Sequence, residues 1–228
     1  MHRFKTWWLV CVAAVVGKLL WASLSSETLF AVMQEDGFVE SLTLGLYAAA
    51  FGTVAIAPGR GSRHWTSSRL ALLIVILGLA AREWDAHIRL TGSSVLRVSY
   101  YLNGPLAVEK LWALSAVALF AASLLCLAWH YTRALRQQAR GNDAIRSAVI
   151  AFIATALIAK VLDRAVNVLA QDFEFVIPVT FAMLMLSIEE TLELALPLIV
   201  VAAVWQHART VSPRVSRTRP LGSTAQSG

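Results

Sequence analysis

The sequence predicts an all-α protein, a polytopic bundle of six transmembrane helices, and three observations support that fold class. Of the 228 residues, 57% are hydrophobic and only 15% are charged, whereas soluble domains carry about 25% charged residues. Six apolar runs are each long enough to cross a bilayer, which takes roughly 20 helical residues. Basic and acidic connectors alternate along the chain, as expected for loops on the two sides of a membrane.

The six predicted spans follow one another in a single transmembrane domain over residues 1–206. We expect them at 7–24, 39–58, 70–88, 111–131, 147–169 and 177–205, with an interfacial helix around 89–102. Residues 207–228 are basic and rich in Pro, Ser and Thr, which is typical of a disordered tail. The net charge of +6 lies in loops and tails beside apolar spans, so it predicts a lipid bilayer as partner and no nucleic acid.

The first span allows two interpretations. A basic start followed by a short apolar stretch also begins a cleaved signal peptide, and Ser23 and Ser25 resemble a cleavage site. The length of the run and its aromatic residues Trp7, Trp8 and Trp21, which suit membrane interfaces, favour a span that is retained.

The connectors predict the orientation of the bundle. The loops at 59–69 and 132–146 contain three and four arginines, while the connectors at 25–40 and 171–175 are acidic. Because basic loops stay in the cytoplasm, both termini are expected there. The stretch 89–110 is expected on the outer side but is basic, which disagrees with this orientation. The four segments that agree with the orientation outweigh it.

The sixth span carries the most unusual feature, three carboxylates inside an apolar run. Glu189, Glu190 and Glu193 fall within five residues, and ionisable groups at membrane depth are costly and rarely accidental. Pro197 follows them and is expected to kink the helix and free backbone carbonyls. Pro178 either caps a short interfacial helix or opens one long tilted helix, and the sequence leaves both possibilities open.

This topology brings charged groups from the other spans into the same outer half of the bilayer. The candidate site residues are Glu40, Arg82, Glu83, Asp85, His87, Lys160, Asp163, Arg164, Glu189, Glu190 and Glu193, with Lys18 nearby. Glu189 and Glu193 share a helix face because they are four residues apart, and the same spacing relates Glu83 to His87. Carboxylates outnumber cations in this layer, so we expect one or two of them to be protonated or to bind a cation.

Three functions are compatible with such a layer. The first is transport or sensing linked to protons or to a small cation, since carboxylates facing lysine and arginine form proton relays. The second is a membrane-embedded enzyme acting on a lipid-linked or envelope substrate, with a divalent metal held by Glu83, His87, Glu189 and Glu193. The third is a non-catalytic scaffold whose charges only join helices. The balance favours a protein that is not an enzyme.

Several blocks of the chain resemble a group of bacterial multi-pass inner-membrane proteins of unknown activity. The blocks that carry the resemblance are Glu35-Asp-Gly-Phe-Val-Glu40, Arg82-Glu-Trp-Asp-Ala-His87, Lys160-Val-Leu-Asp-Arg164 with Asn167-Val-Leu169, and Glu189-Glu-Thr-Leu-Glu-Leu-Ala-Leu-Pro197. The resemblance covers roughly residues 30–205. It implies a bacterial inner-membrane setting and no particular activity.

Overall fold

The computed structural model is helical throughout the part of the chain that it describes. That part comprises residues 5–34, 36–57, 63–92, 98–102, 108–137, 143–171, 173 and 176–211, and it contains no strand. Within it the helices, in chain order, are α1 Lys5–Ser23, α2 Ser26–Met33, α3 Phe38–Ile56, α4 Arg63–Glu83, α5 Ala86–Thr91, α6 Val98–Leu102, α7 Val108–Gln137, α8 Asp143–Gln171 and α9 Val179–Val211. The all-α class is therefore confirmed.

Three stretches of the described chain are long and apolar enough to cross a membrane. They are Thr6–Ser23, Ser26–Ile56, which contains α2 and α3, and Val108–Arg133. The remaining long helices α4, α8 and α9 also overlap predicted spans, and they carry most of the candidate site residues. The protein is thus compatible with a membrane setting.

α4 ends at Glu83, before the end of the third predicted span at 88. Asp85 adopts a left-handed conformation with φ 45°, which an α-helix cannot accommodate. The chain re-enters a helix at Ala86, so the four-residue spacing of Glu83 and His87 no longer places them on one helix face. Within the interfacial helix expected around 89–102, α5 ends at Thr91 beside the left-handed Gly92, and α6 covers Val98–Leu102; residues 93–97 lie outside the described residues.

Two further findings concern the beginning and the end of α9. The chain continues directly from Pro178 into one 33-residue helix, whose first turn closes with bonds from the Phe181 and Ala182 N–H groups to the Pro178 carbonyl. This helix runs to Val211, so the tail predicted as disordered from 207 is helical over its first residues. The rest of that prediction, 212–228, lies outside the described residues.

A short helix that the sequence analysis missed, α2, occupies part of the acidic connector at 25–40. Ser25 caps it, since its side chain accepts a hydrogen bond from the Thr28 N–H at 3.3 Å. Leu29 and Met33 are buried on one side of this helix and pack, together with Val39, against Met183 and Leu186 of α9. Burial of that apolar face is what holds so short a helix.

α9 lies at the centre of the bundle. It packs against α1 and α8 on one side and against α2 and α3 on the other, while α4 packs between α3 and α7. Neighbouring contacts fix the directions: Trp21 donates to the Thr180 carbonyl and Ser187 donates to the Gly17 carbonyl, so α1 runs antiparallel to α9. Contacts between other helices likewise show that α4 and α8 run antiparallel to α9 and that α3 and α7 run parallel to it.

These directions give the bundle two chemically different ends. We call the end where α3, α7 and α9 begin the acidic end, because the acidic connectors 25–40 and 171–175 join helices there. We call the opposite end the basic end, because the arginine-rich connectors 59–69 and 132–146 join helices there.

Helices α1, α8 and α9 meet through small side chains, and we call this contact the small-residue seam. It comprises Gly17, Ala148, Ala151, Thr155, Ala159, Ser187, Thr191 and Ala195, of which all except Thr191 and Gly17 are less than 2% exposed. A Cβ atom on Gly17 would lie 2.6 Å from the Ser187 carbonyl oxygen and 3.0 Å from the Ile188 Cα. The α1 and α9 backbones therefore touch directly, as in close-packed membrane helices.

Candidate functional site

A group of polar side chains forms on the face of α9 opposite the small-residue seam. We call it the polar cluster, and it comprises Tyr47, Arg82, Glu83, Glu189, Glu190 and Glu193. Glu193 is its centre, with 8% of its surface exposed. Its Oε1 accepts a hydrogen bond from the Arg82 Nη2 at 2.9 Å, which joins the end of α4 to the middle of α9.

Glu83, the neighbour of Arg82 in sequence, also contacts Glu193. The two carboxyl groups lie within electrostatic range of each other. A carboxylate offers only acceptor atoms, so two neighbouring carboxyl groups can pair directly only where one of them carries a proton. Glu193 is thus shared between a guanidinium on one side and a carboxyl on the other.

Tyr47 is a member of the cluster that the sequence analysis missed. It lies on α3, is 2% exposed, and faces Glu83, Glu193 and Arg82 within electrostatic range. A signal was present in the sequence, since Tyr47 follows Glu40 by seven residues, about two helical turns, with Thr43 between them. This polar stripe on an otherwise apolar helix points toward α9.

The two remaining glutamates diverge from Glu193 toward different helices. Glu190 lies within electrostatic range of Glu40 at the start of α3, whereas Glu189 lies within range of Asp163 and Lys160 on α8. Both are half-buried. The three glutamates of α9 therefore face three different neighbours, because successive residues of a helix point about 100° apart.

The predicted pair on α8 forms within that helix. Lys160 donates to Asp163 three residues on, and the pair lies beside Glu189. Arg164 and Lys18 are exposed on the surfaces of their helices. Thus, of the candidate cations in this layer, Arg82 enters the polar cluster directly, and Lys160 lies at its edge.

Glu40 and Asp85 belong to turns at the acidic end. The Glu40 Oε2 accepts the Asp36 N–H at 2.5 Å, which closes the turn between α2 and α3 in the manner of a capping box. Asp36 in turn accepts from the Arg89 Nη2 at 2.5 Å, and Arg89 lies 5.5 Å from the Trp84 ring centre. The hydrogen bond from Arg89 to the Asp36 carboxylate raises the pKa of Arg89, so this side chain stays charged. Asp85 is the half-buried left-handed residue between α4 and α5.

Pro197 weakens the backbone hydrogen bonding of α9 beside the cluster. The ring nitrogen of a proline carries no hydrogen, so the carbonyl four residues earlier receives no helical hydrogen bond. In α9 that carbonyl belongs to Glu193 itself. The residue shared by Arg82 and Glu83 is therefore also the residue at which the α9 backbone is least constrained.

The described side chains contain no set of ligands for the predicted metal. No three His, Cys, Asp or Glu side chains there come together in a way that could hold a metal ion. The predicted set of Glu83, His87, Glu189 and Glu193 includes His87, whose side chain lies outside the described residues. No protein family, curated protein or solved structure was found to match this chain.

Proposed function

We propose that this chain is a six-span protein of a bacterial inner membrane with both termini in the cytoplasm, and that its polar cluster serves proton-linked transport or sensing. The alternating directions of α1, α3, α4, α7, α8 and α9 support six passes, because they bring every arginine-rich connector to the basic end. The positive-inside rule then assigns that end to the cytoplasm.

The outward surface supports the membrane setting. Large apolar side chains cover the outside of the described bundle, including Leu19 on α1, Leu125 on α7 and Val161 on α8, each at least 60% exposed. Its interior also contains small and polar residues, among them Thr43, Thr155, Ser187 and Glu193. Exposed tryptophans lie near both ends: Trp7, Trp8, Trp129 and Trp205 toward the basic end, and Trp84 and Trp112 toward the acidic end, as in the aromatic belts of membrane proteins.

The surplus of carboxyl groups around Glu193 carries the proposal for proton linkage. The cluster contains four carboxyl groups and the single guanidinium of Arg82, while Lys160 is already paired with Asp163. At membrane depth an unpaired carboxylate is costly, so the surplus is most readily accommodated by bound protons.

Binding and release of a proton at Glu193 would change the cluster mechanically as well as electrostatically. Protonation weakens the hold of Glu193 on Arg82, whose side chain is 42% exposed and is free to turn outward. The α9 backbone can respond at the same place because Pro197 leaves the Glu193 carbonyl without its helical bond. Proton occupancy is thereby linked to the shape of the central helix.

Infrared spectroscopy of the reconstituted protein tests this proposal. A protonated carboxyl group has its own carbonyl stretch, and the pH-difference spectrum should contain such a band from a sheltered site. We expect Glu83→Gln and Glu193→Gln each to remove or shift that band. Glu109→Gln, which changes an exposed glutamate at the start of α7, is the matched control and should leave it unchanged.

Proton flux into dye-loaded vesicles then separates transport from sensing. Flux that falls to the level of empty vesicles in Glu193→Gln indicates transport, whereas an unaltered background flux with a titrating band indicates sensing. If the spectrum contains no carboxyl band that responds to either substitution, the cluster is a structural ion-pair network and the proposal is wrong.

A further inference from the structure

The polar cluster is covered at the acidic end by α2 and the turn that follows it. Leu29 and Met33 of α2 pack on Met183 and Leu186 of α9, one to two turns before the cluster glutamates. The turn continues the cover, because Glu40 holds the Asp36 N–H and also lies within electrostatic range of Glu190. Movement of α2 would therefore change what reaches Glu190 from that end.

One exposed ion pair joins this cover to α5, the short helix that follows α4. Arg89 of α5 donates to Asp36, and their side chains are 42% and 74% exposed. Trp84 lies beside the Arg89 guanidinium and helps to position it. Exposed pairs contribute little to stability, so this contact can break and re-form easily.

Both turns that the pair joins have unusual backbone conformations. Asp36 has φ 64° and Asp85 has φ 45°, and among the described non-glycine residues these are the two with positive φ. Left-handed conformations are uncommon for residues with a Cβ, and aspartate is one of the residues that adopt them most readily, typically in turns. The pair therefore joins the turn at Asp36 to the short helix that begins after the turn at Asp85, and a weak contact between two such surface segments suits a part that opens.

We propose that the Asp36–Arg89 pair is a latch that holds α2 closed over the polar cluster, and that its release admits water and protons from the acidic end. This inference rests on the proposed function, because it assigns a gate to the same cluster. It differs from a purely structural contact in one respect: breaking the pair should change access to the cluster more than it changes stability.

Cysteine accessibility tests the latch without reference to proton flux. The reporter is Thr43→Cys, a buried α3 position between Glu40 and Tyr47, in a background where Cys11 and Cys126 are replaced by serine. A water-soluble thiol reagent is applied to vesicles, and the modification rate is measured. We expect Asp36→Asn and Arg89→Gln each to raise that rate about threefold, the scale of one exposed ion pair. Asparagine tolerates the left-handed conformation, so the first substitution removes the charge alone.

The double variant and a control sharpen the test. Asp36→Asn combined with Arg89→Gln should give the same rate as either single change, since all three remove one contact. Glu27→Gln, an exposed glutamate of α2, should leave the rate unchanged. Hydrogen exchange of the α2 amides provides a second measurement that needs no reporter, and it should quicken in the same variants.

Unchanged modification and exchange rates in both single variants would overturn the latch. So would a Thr43→Cys reporter that, with the Asp36–Arg89 pair intact, already reacts as fast as an exposed cysteine at Glu27→Cys. Faster rates combined with an unresponsive infrared spectrum would keep the latch and reject the proton-linked function. The two proposals can therefore fail separately.

Discussion

The two faces of α9 hold the bundle together by opposite means. Toward α1 and α8, the small-residue seam brings backbones into contact and contains no charged side chain. Toward α3 and α4, the polar cluster places arginine, tyrosine and glutamate side chains between the helices, and the Arg82–Glu193 ion pair joins α4 to α9. The first face is fixed by backbone contact, whereas under the proposed function the second rearranges when a proton is gained or lost.

Under the proposed function, this difference allows one helix to be held rigidly on one side while contacts on its other side rearrange. Close backbone packing has few alternative arrangements, because a shift of one atom brings others into collision. Long polar side chains have several rotamers and can exchange partners. Rigidity on the seam side thus gives the cluster side a fixed frame against which to move.

The largest effect is expected where the seam admits no additional atoms. Gly17→Leu places side-chain atoms against the Ser187 carbonyl and the Ile188 Cα, which belong to the α9 backbone and cannot turn aside. We expect a loss of about 3 kcal/mol or more in the free energy of unfolding, measured by mixed-detergent denaturation.

Gly45→Leu is the matched control for this prediction. A Cβ at Gly45 meets nothing within 4 Å, so we expect a change within about 0.5 kcal/mol. Equal losses at the two positions would mean that α1 and α9 do not touch at Gly17, and the contrast between the two faces would lose its basis.

A smaller effect is expected on the cluster side. Arg82→Gln removes the positive partner of the largely buried Glu193. Breaking a fully buried ion pair is costly, but here the cost is reduced, because Arg82 is half-exposed and Glu193 can take up a proton. We expect a loss of about 2 kcal/mol, much of it recovered in the double variant with Glu193→Gln.

Arg164→Gln is the control, because Arg164 is exposed on α8 and should contribute less than about 0.5 kcal/mol. Additive losses for Arg82→Gln and Glu193→Gln would show that the two side chains act independently. The cluster would then no longer be a set of coupled groups.

The sequence was informative where charge interrupted apolar runs. Glu193 and Arg82 could be predicted as members of one layer because their placement in apolar helices is costly enough to require a partner. Tyr47 escaped prediction because a tyrosine in an apolar run also suits a membrane interface. Its role depends on which way α3 is turned, and that is set by packing with α9.

Backbone geometry was the least predictable feature. The break at Asp85 has no glycine or proline to mark it, and a left-handed aspartate leaves no trace in composition or spacing. The pair between Asp36 and Arg89 could not be predicted either, because the two residues are 53 positions apart. They meet only because of the backbone turns at Asp36 and Asp85. α2 was missed because its acidic residues indicated a connector, while its stability comes from Leu29 and Met33 meeting α9.

The smallest expected effect separates polar from steric contributions within the seam itself. Ser187 donates a hydrogen bond to the Gly17 carbonyl at 3.0 Å, across the closest approach of α1 and α9. Ser187→Ala removes this bond without adding an atom, and interhelical bonds of this kind contribute about 1 kcal/mol. Ser115→Ala, which loses only a bond within α7 to the Leu111 carbonyl, is the control and should have almost no effect. A loss at Ser187 as large as that of Gly17→Leu would mean that hydrogen bonding, and not backbone fit, fixes α1 against α9, and the seam would then belong with the cluster among contacts that can exchange partners.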